Sequence, residues 1–347
     1  MKLPDIFSSP DSLRSSFENG LDRQLKEDSL GTFILVLANS LFDEQIFLKF
    51  WDRLKENFKQ KKQAYANNLR AGKQLHGAPD DIQVFQKLIR MGFDNLSTTE
   101  DRHTENWELQ FNQLRSLRPR RISSATISSL SQDFEESAFH FNKPFLDKEI
   151  LWSGVIDGVA VKLLYNKFPF ATLHGLLVPE PDQKIPQILG VDMHSFISAL
   201  IKQLGNNIPG IAIAYNGYGA GASINHLHFQ TFTVNQPLPV LKQHWQHNGG
   251  SKAYPVTCKI FDDSTNAWHY INELHRSNIT YNLLYLPDKI VCLPRAFQGS
   301  YEIPDWTENF AWYELCGGII TFNQNEFLKL ADEKITGALS ALHLPIN

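Results

Sequence analysis

The chain has few cysteines, no excess of positive charge and no long apolar run, and each absence excludes a class of protein. Its three cysteines form no CxxC pair, so we expect neither a disulfide framework nor a cysteine-rich zinc site. A net charge of −4 argues against a dedicated nucleic-acid binder. No run approaches the roughly 18 apolar residues of a membrane span, and the first residues lack the apolar core of a signal peptide. We therefore expect a cytoplasmic protein that binds neither nucleic acid nor membrane.

Apolar periodicity places helices at both ends of the chain and strands in its middle. Helical spacing predicts helices over 43–62 and 80–91, with polar loops around 95–106. From about residue 150 the pattern becomes that of strands, and Asp157-Gly158 predicts a hairpin turn. Further strands are predicted near 173–178, 210–215, 282–285 and 290–293, and further helices near 192–204, 265–276 and 325–342. Short strands in hairpin-like order between helices predict a mostly antiparallel α+β fold.

The most informative segment for function is Tyr215–Phe232, which reads YNGYGAGASINHLHFQTF. A loop rich in glycine and small residues runs into a predicted strand carrying His226, His228 and Gln230 at two-residue spacing. Alternate side chains of a strand point to opposite faces, so these three should share one face. Such a row has three interpretations: half-buried structural polar groups, a metal site that still needs a third ligand, or a site of nucleotide chemistry.

The sequence around the row resembles one branch of the histidine-triad superfamily, the branch of galactose-1-phosphate uridylyltransferase and diadenosine-tetraphosphate phosphorylase. Within it the chain is most similar to the GDP-hexose phosphorylases. The segments that carry the resemblance are FHFNK at 139–143, LLYNKFPFATLHGLLVP at 163–179, Tyr215–Phe232, YNLLYLPDKIVCLPR at 281–295 and WYELCGG at 312–318. SINHLHFQ, at 223–230, is especially specific.

The resemblance implies two fused histidine-triad-like modules with mostly antiparallel sheets flanked by helices. We expect a divergent helical region over 1–106, a catalytic module over 107–235 and a degenerate second module over 236–347. The implied enzyme is a nucleotidyltransferase that cleaves a GDP-hexose with inorganic phosphate to GDP and hexose 1-phosphate. It needs no cofactor and no metal. Its partners are the nucleoside diphosphate sugar and phosphate, and a homodimer stays open.

The predicted catalytic residues are His228, His226 and Gln230. Neutral imidazole is a good nucleophile near neutral pH, so His228 Nε2 is expected to attack the α-phosphorus while its other nitrogen is held by an acceptor such as a backbone carbonyl. His226 then positions this group or contacts phosphate. Gln230 cannot act as an acid, but its NH₂ group can donate to a phosphoryl oxygen. A glutamine here suits a phosphate leaving group and favours phosphorolysis over hydrolysis.

The predicted substrate-binding residues lie in three segments. By resemblance, Asn216, Gly221 and Ser223 contact the α-phosphate, although an ordinary glycine-rich turn is the alternative. Asn166 and Lys167 match a strand that borders the nucleoside. Arg121, in a cluster with Arg115, Arg118 and Arg120, could reach the incoming phosphate, whereas a solvated basic loop is the commoner explanation. His174, Arg295 and Glu314 also fall in matching segments, without a readable role.

Two other functions stay open at this point. A dinucleoside polyphosphate phosphorylase would use the same row with a different leaving group. A protein of another class, a catalytically silent nucleotide-binding module, would keep the pocket and lose the reaction. The sequence leaves the hexose and the role of residues 1–106 undetermined.

Overall fold

The computed structural model describes residues 1–73, 76–119 and 126–344, and it has the α+β fold that the sequence predicts. The helices are α1 Pro10–Lys26, α2 Leu30–Phe42, α3 Glu44–Arg70, α4 Pro79–Met91, α5 Gln113–Ser116, α6 Val191–Asn207, α7 Ser264–Arg276, α8 Trp312–Leu315, α9 Gln324–Lys329 and α10 Asp332–Ser340. The strands are β1 Glu100–His103, β2 Glu108–Phe111, β3 Ile150–Ile156, β4 Val159–Tyr165, β5 Thr172–Pro179, β6 Ile211–Asn216, β7 Phe229–Thr233, β8 Lys259–Phe261, β9 Thr280–Tyr285, β10 Ile290–Arg295 and β11 Gly318–Thr321.

Four helices form the N-terminal region, and their starts are capped by side chains or by proline. The Ser9 side chain accepts the Ser12 N–H, with Pro10 at the first helical position of α1. Asp43 caps α3 through the N–H groups of Gln45 and Ile46, at 3.0 and 3.2 Å. The predicted helices at 43–62 and 80–91 are confirmed as α3 and α4.

The N-terminal helices pack on the large sheet. The hydroxyl of Tyr165, at the end of β4, donates to the carbonyl oxygen of Phe17 in α1 at 2.7 Å. A Cβ added at Gly20, one turn along α1, would lie 1.8 Å from that hydroxyl oxygen. Glycine therefore lets the helix backbone approach the sheet, and residues of the helical region share one apolar core with the sheet.

The large sheet has eight strands in the order β3-β4-β5-β7-β6-β9-β10-β8, and every neighbouring pair is antiparallel. The predicted hairpin is present: Asp157 and Gly158 connect β3 to β4 with φ values of +52° and +84°. A second sheet has the order β1-β2-β11 and pairs β11 with β2 in parallel.

The sheet continues without interruption between the two halves of the chain. Strand β6 pairs with β9 in a register that places Ile213 opposite Tyr285 and Asn216 opposite Asn282. The predicted module boundary at 235–236 falls between these strands in sequence. The three module ranges stay a prediction, because a shared sheet neither requires nor excludes two ancestral modules.

Three local expectations differ from the structure. Strand β1 lies in the segment expected to be a polar loop, where Glu100–His103 pair with β2. The single helix expected over 325–342 is two, because Leu330 and Ala331 adopt extended backbone between α9 and α10. Strand β7 begins at Phe229, so His226 and His228 precede it. Within the described ranges, no helix has both the length and the apolar character needed to cross a bilayer.

Candidate active site

The alternation expected for residues 226–230 persists although the ladder begins only at Phe229. Leu227 and Phe229 are both fully buried in the larger apolar core. His228 and Gln230 occupy the other face, where His228 contacts the ring of Phe141 and Gln230 contacts Trp312. The structure therefore brings two of the three predicted catalytic side chains onto one face of the sheet.

His228 is held in a single tautomer. Its Nδ1 lies 2.8 Å from the carbonyl oxygen of His226. A carbonyl can only accept, so Nδ1 carries the proton and Nε2 keeps its lone pair. Burial lowers the pKa of His228 to about 4, against a smaller opposite effect of the His226 carbonyl. At neutral pH the imidazole is therefore uncharged, with a fixed basic nitrogen.

The backbone around His228 is held by Gln187, which lies between β5 and α6. Gln187 Oε1 accepts the His228 N–H at 2.9 Å, and its Nε2 donates to the carbonyl oxygens of His228 and Asn216 at 3.1 and 2.8 Å. This side chain ties the histidine segment to the end of β6. Sequence reasoning missed Gln187, because it stands alone in a proline-bearing loop with no motif around it.

His226 takes the opposite tautomer. Its Nδ1 accepts the Phe141 N–H at 3.2 Å, which leaves the proton on Nε2. The ring is fully buried against Phe134, His140 and Phe141, and its N–H faces the backbone carbonyl of Pro181. Burial, followed by the neighbouring His228 and His140, lowers its pKa to about 4. His226 contributes its carbonyl to His228.

Gln230 has a fixed orientation. Its Oε1 lies 2.8 Å from Trp312 Nε1 and 3.0 Å from His174 Nε2. The indole nitrogen is only a donor, so the carboxamide atom facing it must be the oxygen. The NH₂ group is then directed elsewhere, without a partner among the described residues. Gln230 thus cannot act as an acid, but its NH₂ group offers two hydrogen-bond donors on the face that carries His228.

His174 is a neutral second support for Gln230. Its Nε2 must donate to the Gln230 oxygen, and its Nδ1 then accepts the Phe170 N–H at 3.3 Å. Burial lowers the pKa of His174 to about 3, so the ring is uncharged at neutral pH. The residue that the sequence left without a role therefore orients the glutamine.

The glycine-rich loop places a second carboxamide beside the first. Asn216 ends β6, and its Oδ1 accepts from Asn282 Nδ2 at 2.7 Å and from the Trp312 N–H at 2.9 Å. Its own NH₂ group is free of partners among the described residues. Gly221 has φ +90°, and a Cβ there would lie 3.0 Å from the Ala311 Cβ. Ser223 is exposed after this turn.

The other predicted binding residues are placed less centrally. Asn166 accepts the Phe168 N–H through Oδ1 at 3.1 Å, while its Nδ2 lies 3.4 Å from the unprotonated Nδ1 of His174. Lys167 forms an ion pair with Asp81 of α4, at 2.6 Å. Arg121 lies outside the described residues.

Two arginines of the basic cluster are engaged in the fold. Arg115 is buried, donates to the Phe168 carbonyl and lies with its guanidinium carbon 5.0 Å from the centre of the Phe170 ring. Arg118 pairs with Glu308 at 2.6 Å. Neither is a freely solvated side chain.

Metal-ligating side chains do not converge at this site. Across residues 1–73, 76–119 and 126–344, no three His, Cys, Asp or Glu side chains come together in a group able to hold a metal ion. The two histidines also differ in protonation, because the ring proton is on Nδ1 in His228 and on Nε2 in His226. The geometry thus offers an uncharged imidazole with a free lone pair on Nε2, together with amide donors.

Comparison with known proteins gives consistent results. Residues 85–232 match the family model described as the GDPGP1-like N-terminal domain. The chain is 30% identical to GDP-D-glucose phosphorylase 1 of Danio rerio over 155 residues, 44% of this chain and 43% of that protein. It is 26% identical to GDP-L-galactose phosphorylase 2 of Arabidopsis thaliana over 206 residues, 52% of this chain and 47% of that protein. These alignments span less than half the length of either relative.

Among solved structures, the fold is similar to that of yeast Ap4A phosphorylase Apa2. The TM-score is 0.52 at 16% identity, covering 79% of this chain and 98% of the yeast structure. At that identity the likeness concerns the fold alone. The resemblance predicted from the motifs is confirmed: residues 85–232 match a GDPGP1-like N-terminal domain, and the chain is similar to the GDP-D-glucose and GDP-L-galactose phosphorylases.

Proposed function

We propose that this protein is a GDP-hexose phosphorylase that works through a guanylyl-histidine intermediate. In the first step His228 Nε2 attacks the α-phosphorus of the GDP-hexose. The bond from that phosphorus to the bridging oxygen breaks, and hexose 1-phosphate leaves with the oxygen and its electron pair. In the second step an oxygen of inorganic phosphate attacks the same phosphorus, the P–N bond breaks and GDP is released. Two displacements thus replace one difficult transfer.

The single observation that carries the proposal is the pinned tautomer of His228. The 2.8 Å contact from Nδ1 to the His226 carbonyl leaves a lone pair on Nε2, and burial keeps the ring uncharged at neutral pH. When Nε2 bonds to phosphorus, the Nδ1–H to carbonyl contact also stabilises the positive charge that develops on the ring.

The two carboxamides support phosphoryl transfer over acid–base hydrolysis. With both oxygens already accepting two donors, Gln230 and Asn216 present only NH₂ groups. Such groups can stabilise negative charge on the non-bridging oxygens of the α-phosphate, but they cannot protonate a leaving group. A sugar phosphate leaves without a proton because its second pKa is about 6. The same logic favours phosphate over water as the second nucleophile.

The relatives supply the nucleotide and the sugar class. Both are named as phosphorylases of GDP-hexoses, which makes GDP-hexose the first substrate to test. The fold neighbour is named an Ap4A phosphorylase, which keeps a dinucleoside polyphosphate as the second candidate with the same His228 chemistry. We also propose that the enzyme is cytoplasmic, which cell fractionation would test. We propose that it forms a homodimer, which light scattering would test.

The test is to trap the intermediate. The protein is mixed with GDP-glucose, GDP-galactose or Ap4A without phosphate, quenched within one turnover and measured as the intact protein by mass spectrometry. We expect one guanylyl group per chain from a GDP-hexose, located at His228 by peptide mapping. Adding phosphate should discharge it as GDP.

Two variants control this experiment. His228→Asn should form no adduct, because an amide cannot replace the nucleophile. His269→Asn changes an exposed histidine of α7 and should label as the wild type does. Labelling of His228→Asn would overturn the assignment of the nucleophile. An adenylyl adduct from Ap4A alone favours the second candidate, and binding without any adduct favours a silent nucleotide-binding protein.

A further inference from the structure

One residue from the second half of the chain holds both carboxamides of the proposed site. The main-chain N–H of Trp312 donates to Asn216 Oδ1 at 2.9 Å, and its indole Nε1–H donates to Gln230 Oε1 at 2.8 Å. Asn216 and Gln230 lie on neighbouring strands of the sheet, where Ala214 of β6 is opposite Gln230 of β7. Trp312, more than eighty residues away in sequence, begins the short helix α8.

These contacts decide which end of each carboxamide faces the substrate. Both Trp312 groups are donors without acceptor capacity, so each must face an oxygen. A flipped Gln230 would put its NH₂ group against the indole N–H, two donors in contact. The same holds for Asn216 against the Trp312 backbone. The NH₂ groups are thereby excluded from the Trp312 side and stay available for another acceptor.

Each oxygen also has a second donor, and only Trp312 is common to the two sets. Asn282 Nδ2 supports Asn216 at 2.7 Å, and His174 Nε2 supports Gln230 at 3.0 Å. Trp312 is itself fixed by stacking on Phe232, with ring centres 4.5 Å apart and planes at 19°. Phe232 lies two residues beyond Gln230 on the same face of β7. The indole is thus packed in register with the side chain that it orients.

We propose that Trp312 is a positioning residue, which fixes the NH₂ groups of Asn216 and Gln230 on the two non-bridging oxygens of the α-phosphate. This inference rests on the proposed function and deepens it, since it names how the phosphate is held. The second half of the chain then contributes directly to the reaction although it carries no histidine row. The role is positional, because Trp312 itself does not contact the reacting atoms.

The first test variant is Trp312→Phe, which keeps the backbone N–H and an aromatic ring on Phe232 and removes the indole donor together with the volume of one ring. We expect guanylyl transfer to His228 to slow by about ten- to a hundredfold, because misplacing a group by about 1 Å costs up to about a hundredfold. The matched control is Trp245→Phe. Its indole donates to the Pro239 carbonyl, also at 2.8 Å and also buried, and its ring packs on Trp107 and Tyr254. Both variants should lose similar thermal stability, but Trp245→Phe should transfer at the wild-type rate.

The decisive measurement compares the rates of guanylyl transfer from the two diastereomers of a GDP-hexose in which sulfur replaces one non-bridging oxygen of the α-phosphate. A fixed Gln230 donor makes the wild type prefer one diastereomer, and Trp312→Phe should lose most of that preference. The double variant Gln230→Ala with Trp312→Phe should be no slower than Gln230→Ala alone. Full retention of the preference, or effects that multiply in the double variant, would overturn the positioning role.

Failure of the proposed function would look different. If the wild type forms no adduct with any nucleotide sugar, the reaction is wrong, and the positioning is judged on GDP binding by calorimetry. Trp312→Phe and Gln230→Ala should then weaken GDP binding to the same degree and without further loss in the double variant. Unchanged GDP affinity in Trp312→Phe contradicts the inference in that case too.

Discussion

The protonation of His228 gives a quantitative prediction for the first half-reaction in acid. Burial lowers its pKa to about 4, so at about pH 5.5 roughly 97% of the imidazole is still unprotonated. A solvated histidine, with a pKa of about 6.5, would be only about 10% unprotonated there. The α-phosphate of a nucleotide sugar does not titrate in this range. The rate of guanylyl transfer should therefore change by less than about twofold between about pH 7.5 and 5.5.

The assay is single-turnover quench flow, with the guanylyl protein measured by mass. Circular dichroism at each pH shows that the protein is folded. The titration of Glu314 has to be distinguished from that of His228. Burial raises the pKa of Glu314 to about 7, and its carboxylate accepts the Ala311 N–H at 2.9 Å beside Trp312. A step near neutral pH that disappears in Glu314→Gln belongs to that carboxylate. A tenfold fall with a midpoint near pH 6.5 that persists in Glu314→Gln would refute the reasoning for His228.

The same pKa shift fixes the sign of a stability change. The folded pKa of His228 lies below the unfolded value, so between about pH 6.5 and 4 the unfolded chain binds more protons than the folded one. The contribution of the uncharged, buried His228 to the free energy of unfolding is fully present above about pH 6.5 and is lost as the pH falls towards 4. It amounts to on the order of 3 kcal/mol for His228. His174, with a pKa lowered to about 3, acts in the same direction. Urea unfolding across this range measures the slope.

The remaining predictions concern three glycines. Gly221→Ala should destabilise the protein by about 1–3 kcal/mol and slow guanylyl transfer, because the new Cβ meets the Ala311 Cβ at 3.0 Å and the backbone has φ +90°. Gly158→Ala is the matched control, because its backbone has φ +84° and nothing lies within 4 Å of the added Cβ. It should lower the free energy of unfolding in urea by about 1–2 kcal/mol without affecting the rate. Equal rates in the two variants would contradict the role given to the close approach of Gly221 to Ala311. Gly20→Ala should cost about 2–4 kcal/mol, since its Cβ would lie 1.8 Å from the Tyr165 hydroxyl. Tyr165→Phe should recover part of that loss in the double variant, and strictly additive free energies of unfolding would count against α1 docking at this point.

Local patterns in the sequence were sufficient for the fold class and for the row, since both depend on periodicity. Two of the longer helices were not predicted, for opposite reasons. In α2 the residues from Thr32 to Leu41 are all buried, so no polar face marks a helical period. In α1 the apolar residues are sparse, although Ser9-Pro10 is a readable helix start. Periodicity reports one-sided burial, and neither helix shows it clearly.

The supports of the site could not be predicted in the same way. Gln187, Asn282 and Trp312 act through hydrogen bonds to residues far away in sequence. Such contacts leave no spacing pattern, because strand pairing and loop packing create them. The WYELCGG segment was recognised as a motif, but its chemistry becomes readable only once the indole is seen against Gln230. Arg121 stays a prediction outside the described residues.

The junction between β6 and β9 explains why a half without a histidine row is needed. Asn216 and Asn282 are directly opposite in that pair, and the Asn282 amide reaches the Asn216 oxygen because of this register. A slip of one residue would turn Asn282 to the other face of the sheet. The carboxamide of Asn216 would then lose one of its two donors. The orientation of the Asn216 carboxamide in the first half is therefore set by the strand register of the second, and in the proposed mechanism the two halves act as one catalytic unit.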